Sequence, residues 1–245
     1  MGASFVRVSD YSSMSLEAAK YVLAFLSGHP SAVLALPTGR TPQGLYRELG
    51  TASSGGRADL ARATVFNLDE LVGFRQDDPA SFASALRREI VQPIGLSGSR
   101  CHLLDGAAKY PEAECERFEA LILASGKIDL AILGLGWNGH IAFNEPGTDW
   151  DALTHVAQLA EGTRKRLALL LGEGVEPPTQ ALTMGIRDIM SADSILLLVH
   201  GSEKSRPLHR AFSEPPHPAI PASVLQLHAD VTVIADASAF HASSR

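Results

Sequence analysis

The run SILLLV at positions 194–199 carries no polar alternation, and it is not alone. AVLAL (32–36), TVFNL (64–68), IDLAIL (128–133) and VTVIA (231–235) are apolar at most positions. A strand with one wet face alternates apolar and polar residues, whereas a strand apolar throughout is covered on both faces. Strands are therefore expected at Ala32–Leu36, Thr64–Leu68, Ile128–Leu133, Ser194–His200 and Val231–Ala235. Helical patterns fall between them, at Ser15–Leu26, Pro42–Leu49, Ser81–Val91, Pro111–Ala124, Thr163–Leu171 and Glu203–Phe212. Strands alternating with helices predict an α/β fold: a doubly wound, mostly parallel, Rossmann-like sheet with right-handed crossovers.

A chain of 245 residues can bury a sizeable core as one domain, 1–245. TASSGGRAD (51–59) and GEGVEPPTQ (172–180) read as surface connections. The stretch 149–180 is longer than a crossover requires, so a mobile lid is expected there. The net charge of −6 makes no electrostatic case for nucleic acid or an anionic membrane as partner. Cys101 and Cys115 form no CxxC pair and read as isolated thiols in a reducing compartment. With no basic-then-apolar leader and no apolar run near the ~20 residues of a membrane span, a cytoplasmic protein is expected.

In open α/β sheets ligands sit beyond the carboxyl ends of the strands. Four polar segments are expected at that edge: PTGRTP (37–42), NLDE (67–70), GLGWNGH (134–140) and GSEKS (201–205). Gly134, Gly136 and Gly139 satisfy the GxGxxG dinucleotide pattern, but Pro146 interrupts the helix that pattern needs. The glycines are better explained as freeing a sharp turn that aims Asn138, His140 and Glu145 into one cavity. PTGRTP is either an ordinary connection, with Thr41 as cap and Pro42 opening a helix, or a phosphate cradle of backbone N–H groups and the Thr38 and Thr41 hydroxyls. Lys204 is either a surface lysine or a cation closing on the same anion. Asp69 and Glu70 are either a cap or a source of a general base. His140 with Glu145 makes an imidazole–carboxylate pair plausible, while no histidine or cysteine spacing matches a zinc site.

LPTGRTPQGLYREL, FNLDELVGF, DLAILGLGWNGHIAFNEPGT, ALTMGIRDIMSADSILLLVHGSEKS and PASVLQLH together resemble, in order, the blocks of the glucosamine-6-phosphate deaminases (isomerases), over about residues 30–236. The resemblance implies a sugar-phosphate isomerase fold and a reaction that opens an amino-sugar ring, isomerises aldose to ketose and releases ammonia. It implies that Asp69 moves the proton between C2 and C1. His140 assists ring opening with Glu145 as its carboxylate partner, and Asn138 belongs to the same catalytic turn. The phosphate of a hexosamine 6-phosphate would lie on Thr38, Gly39, Arg40, Thr41 and Lys204, and neither metal nor organic cofactor is implied.

Three departures from the family pattern bear on the reading. Asn138 stands where the glucosamine enzymes usually have aspartate, as in the galactosamine-6-phosphate branch, so the product is expected to be fructose 6-phosphate or tagatose 6-phosphate according to epimer. Arg40 replaces a glycine and is expected to add a guanidinium to the phosphate site. Thr148, His155, Ala157 and Gln158 stand where allosteric hexameric members carry basic residues, so no such activation and a monomer or small oligomer are expected. The rival readings are a 6-phosphogluconolactonase, whose loop pattern differs at Phe143, Asn144 and Glu145, and a catalytically inactive sugar-phosphate sensor.

Overall fold

The apolar runs form the middle of a parallel sheet. The computed structural model describes residues 2–172 and 174–240. Along the chain its strands are β1 (Ser4–Val8), β2 (Val33–Leu36), β3 (Thr64–Asn67), β4 (Asp69–Leu71), β5 (Cys101–His102), β6 (Leu130–Gly134), β7 (His155–Gln158), β8 (Gln180–Thr183), β9 (Ser194–Val199) and β10 (Val231–Asp236). The helices are α1 (Tyr11–Gly28), α2 (Gln43–Ser54), α3 (Phe82–Leu86), α4 (Pro111–Ala124), α5 (Glu161–Leu171), α6 (Ile186–Met190), α7 (Ser205–Ser213) and α8 (Ala237–Phe240). Among the described residues no helix is long and apolar enough to cross a membrane.

Seven parallel strands stand in the order β1-β10-β9-β6-β2-β3-β5. Successive residues of a strand point to opposite faces, and both faces are covered. Leu130 and Ile132 pack among side chains of α1, α2 and α3, while Ala131 and Leu133 pack among those of α4, α6 and α7. All four are fully buried, which is why this segment needs apolar residues at every position. Chain order reverses between β2 and β6, opening a crevice at their carboxyl ends; α/β folds bind ligands at this kind of switch point.

The sequence pattern missed a second sheet. Chain leaving β3 turns at Leu68 and enters β4, which pairs antiparallel with β8, itself antiparallel to β7. Asn67 makes the turn possible: its buried amide donates to the Asp69 carbonyl (2.8 Å) and accepts from Leu104 N–H (2.9 Å). The stretch 149–180 therefore contains two ordered elements, β7 and α5, before β8, rather than one long loop. Glu173, in the expected 172–180 connection, lies outside the described residues, as do Met1 and 241–245. The 51–59 connection is shorter than expected, because α2 continues through Ser54.

Candidate active site

All four polar segments reach one cavity of about 1080 Å³ at the switch point. The turn 37–42, Asp69, Gly134–Trp137, His140, Glu203 and Lys204 line it together with Tyr11, Arg166 and His200.

The turn after β2 is built around Gly39, whose φ of +98° lies where side chains are strained. Tyr46, buried in α2, donates its hydroxyl to the Pro37 carbonyl (2.6 Å). The expected Thr41 cap does not form: Pro42 occupies the N-cap position, and no side-chain cap bond is made there. Instead the Tyr11 hydroxyl accepts the first-turn N–H of Gly44 (2.8 Å) and donates to the Arg40 carbonyl (2.8 Å). Proline has displaced the helix start by one residue and left the Thr41 hydroxyl beside the cavity. Arg40 is exposed at the rim, and its guanidinium makes no hydrogen bond among the described residues.

Across the cavity, Lys204 ends a 3-10 turn, Ser202–Lys204, at the start of α7. Burial lowers its pKa, Glu203 opposes that shift, and Arg166 of α5 adds to it. Arg166 also places its guanidinium 4.4 Å from the centre of the Trp137 ring. Two cations thus share one rim, and among the described residues neither makes a salt bridge, the arrangement a phosphate dianion relieves.

The two acids of NLDE separate because neighbouring strand residues point to opposite sides. Glu70 turns into backbone: Oε1 accepts from Leu71 N–H (2.8 Å) and Phe82 N–H (3.0 Å), and Oε2 from Ala83 N–H (2.7 Å). It anchors the start of α3. Burial raises its pKa to about 7 despite these three bonds. Asp69 faces the cavity, only 8% exposed, and its Oδ1 has no hydrogen-bond partner among the described residues. Burial first, and the Glu70 charge second, push its carboxyl to about 8.

In the 134–148 loop two of the three GxGxxG glycines have a structural reason. A Cβ on Gly136 would overlap the His140 ring, and Gly139 has a φ of +89° with Ile220 packed against it. The His140 ring lies where the Gly136 side chain would be. Ala142, at φ 49°, is the one non-glycine with positive φ among the described residues, a cost of roughly 1–2 kcal/mol. The loop is held in that shape by β8: Phe143 N–H donates to the Thr183 hydroxyl (3.0 Å), and the buried Asn144 amide donates to the Met184 carbonyl (2.9 Å).

His140 lines the cavity, with Glu145 behind it; His140 Nδ1 lies 3.6 Å from Glu145 Oε2. Asn138 bridges the pair, its Nδ2 donating to Glu145 Oε2 (2.7 Å) and its Oδ1 accepting from His140 N–H (3.2 Å). Burial alone would raise the Glu145 pKa. His140, the Thr163 hydroxyl and the Asn138 amide outweigh it and bring it to about 2. Asn138 and Glu145 do not line the main cavity; Asn138 borders a separate hollow of about 370 Å³ with Arg206 and Arg210. Both reach the cavity wall only through their contacts with His140. Among the described residues no three His, Cys, Asp or Glu side chains gather as a metal site.

Sequence reasoning missed Tyr11, Arg166, Trp137 and His200. Tyr11 precedes the first expected strand, so no spacing rule ties it to the turn 37–42. Arg166 was hidden within the basic run TRKR (163–166). Only the apolar bulk of Trp137 beside three glycines was a visible sign.

Residues 11–234 match a family model described as glucosamine-6-phosphate isomerases/6-phosphogluconolactonase. A glucosamine-6-phosphate deaminase of Halalkalibacterium halodurans is 39% identical over 234 residues, covering 96% of this chain and 95% of that one. The deaminase of Oceanobacillus iheyensis is also 39% identical, covering 96% and 94%. A solved structure described as a monomeric glucosamine-6-phosphate deaminase superposes with a TM-score of 0.93 at 38% identity, covering 96% and 98%. The 6-phosphogluconolactonase of Leishmania guyanensis superposes with a TM-score of 0.80 at 20% identity over 100% of each chain, a likeness of fold alone.

Proposed function

The chain belongs to the glucosamine-6-phosphate isomerase/6-phosphogluconolactonase family, and from that premise we propose that it is an amino-sugar-6-phosphate deaminase. With one water, it converts glucosamine 6-phosphate to fructose 6-phosphate, or the C4 epimer to tagatose 6-phosphate: the C2 imine formed on isomerisation is hydrolysed, its C–N bond breaking to release ammonia. The observation that carries the reading is the unpartnered Asp69 Oδ1, buried in the same cavity as His140 and the Lys204–Arg166 rim.

The phosphate lies on Thr38, Gly39, Arg40 and Thr41, with Lys204 and Arg166 as cations. Being remote from the chemistry, its binding energy holds the sugar in a reactive pose. His140, aimed by Asn138 and Glu145, passes a proton to the ring oxygen as the hemiacetal opens. Asp69 then moves the C2 proton to C1. Burial and the Glu70 charge push its carboxyl to about 8; the positively charged amine on C2 supplies the charge that favours the ionised, basic form. Substrate therefore creates its own base.

The stretch 149–180 serves as a lid. Its helix α5 lends Thr163, Arg166, Leu167, Leu169 and Leu170 to the cavity wall, and Leu169 is 78% exposed there. A monomer or small oligomer agrees with the likeness to the deaminase described as monomeric. Two free thiols, Cys101 and Cys115, support a reducing, cytoplasmic location.

Incubation with glucosamine 6-phosphate, galactosamine 6-phosphate and 6-phosphogluconolactone, with ammonia and lactone assays side by side, tests the proposal. Ammonia release from either hexosamine is the expected result. Lactone hydrolysis without ammonia, or hexosamine binding without turnover, would overturn it.

A further inference from the structure

His200, a polar side chain on the cavity wall, has no part in that chemistry. His200 follows β9, and its Nδ1 lies 2.7 Å from Asp236 Oδ2. Asp236 is buried at the end of β10, where Oδ1 also accepts from Gly201 N–H (3.3 Å) and Ala239 N–H (3.0 Å), and both oxygens accept from Ser238 Oγ (3.0 Å). Burial alone would raise the carboxyl, but His200, Ser238 and the backbone donors outweigh it and keep its pKa low. An acceptor held ionised in this way keeps a proton on the His200 Nδ1. The ring is oriented, and its Nε2 makes no hydrogen bond among the described residues.

The surroundings of the ring are those of the anion rim. The Tyr11 ring lies 4.8 Å from it, centroid to centroid, and the Tyr11 hydroxyl is bonded to the Arg40 carbonyl. His200 thus lies against the same Tyr11 that holds the turn 37–42, four residues before Lys204. We propose that His200, oriented by Asp236, is a further ligand for the substrate's phosphate, contributing to anion affinity and not to the chemical step. The proposal rests on the phosphate position given above and deepens that reading.

The groups facing this end are Tyr11 of α1, Arg40 of the turn, Arg166 of α5, Glu203 and Lys204 of the 3-10 turn, and Asp236 of β10. The guanidiniums keep their charge at all accessible pH. Glu203 is folded back against Gly201.

Inorganic sulfate is the probe. Its affinity for the full chain and for His200→Gln is measured by calorimetry at one fixed pH. His200→Gln is expected to bind sulfate roughly tenfold more weakly, the equivalent of one charge-assisted contact. With hexosamine phosphate, His200→Gln raises KM and holds kcat. His200→Asn, which can still donate to Asp236, is the second variant if glutamine unfolds this end of β9. A variant that binds sulfate as tightly as the parent, or loses kcat in step with KM, overturns the proposal. Sulfate binding is read without turnover, so a protein that binds sulfate in this way yet releases no ammonia would refute the deaminase reading and leave this one standing.

Discussion

Replacing Asp69 with asparagine separates what the cavity does for catalysis from what it costs the fold. Burial and the Glu70 charge raise the Asp69 carboxyl from 3.8 to about 8. A carboxyl whose folded pKa lies above its unfolded value holds its proton more tightly in the folded protein. Its stabilising contribution is complete below the unfolded pKa and is lost as pH climbs through the folded one. Inside that window each pH unit removes about 1.4 kcal/mol, so moving from about pH 5 to pH 7 costs the parent roughly 3 kcal/mol. Asparagine cannot ionise and carries no such loss, and Glu70 titrates in both proteins. For a chain of this size about 1 kcal/mol moves Tm by roughly 2–4 °C. The Tm advantage of Asp69→Asn over the parent should therefore widen by roughly 6–12 °C between those pH values, read by circular dichroism melts. The slope is the readout, because any fixed offset from the amide is the same at every pH. In parallel, ammonia release should fall by about 10²–10⁴-fold, the usual cost of losing a general base. Parallel stability curves would refute the account of Asp69 as an uncompensated buried carboxyl.

Gly136→Ala puts a methyl group where the His140 ring lies; turnover should drop by about 10²-fold or more with helix content retained, and unchanged kcat would show that the ring's place is immaterial. Asn138→Asp sets a second carboxylate beside Glu145 Oε2, which raises the Glu145 pKa and should move the acid limb of the kcat–pH profile upward; an unmoved limb argues against the amide bridge. The same variant is to be assayed on both C4 epimers, since a shifted preference ties position 138 to branch identity. Lys204→Ala should raise KM by about 10–100-fold and spare kcat, and an unaltered KM removes Lys204 from the anion site.

The parallel core was legible because burial on both faces leaves a plain trace: strands such as β6 and β9 have no room for polar alternation. Position at the carboxyl edge then followed from topology rather than from any one motif. Other elements leave no such trace. β1 lies at the sheet edge, with half-exposed or exposed residues throughout, and β4, β7 and β8 have only three or four residues each. Within the site, Asp69 and Glu70 were read as a pair, yet strand geometry sends them apart, one to the cavity and one to the α3 backbone. The Thr41 cap failed because a hydroxyl from 33 residues away, that of Tyr11, took the Gly44 N–H. Contacts of that length are set by packing and cannot be read from local spacing.

Trp137 has its indole N–H on the Thr163 hydroxyl (3.3 Å), its edge against Gly162 where no larger residue fits, and its face under the Arg166 guanidinium. Every one of those partners belongs to α5, while Trp137 itself is one link from Gly136 and three from His140. The indole is therefore a latch shared by roof and floor. If the phosphate sits as proposed, drawing Arg166 off the ring would loosen the latch on one side, and a swing of α5 would pull on the segment that aims the imidazole. Occupancy at one end of the sugar would then be coupled to alignment at the other.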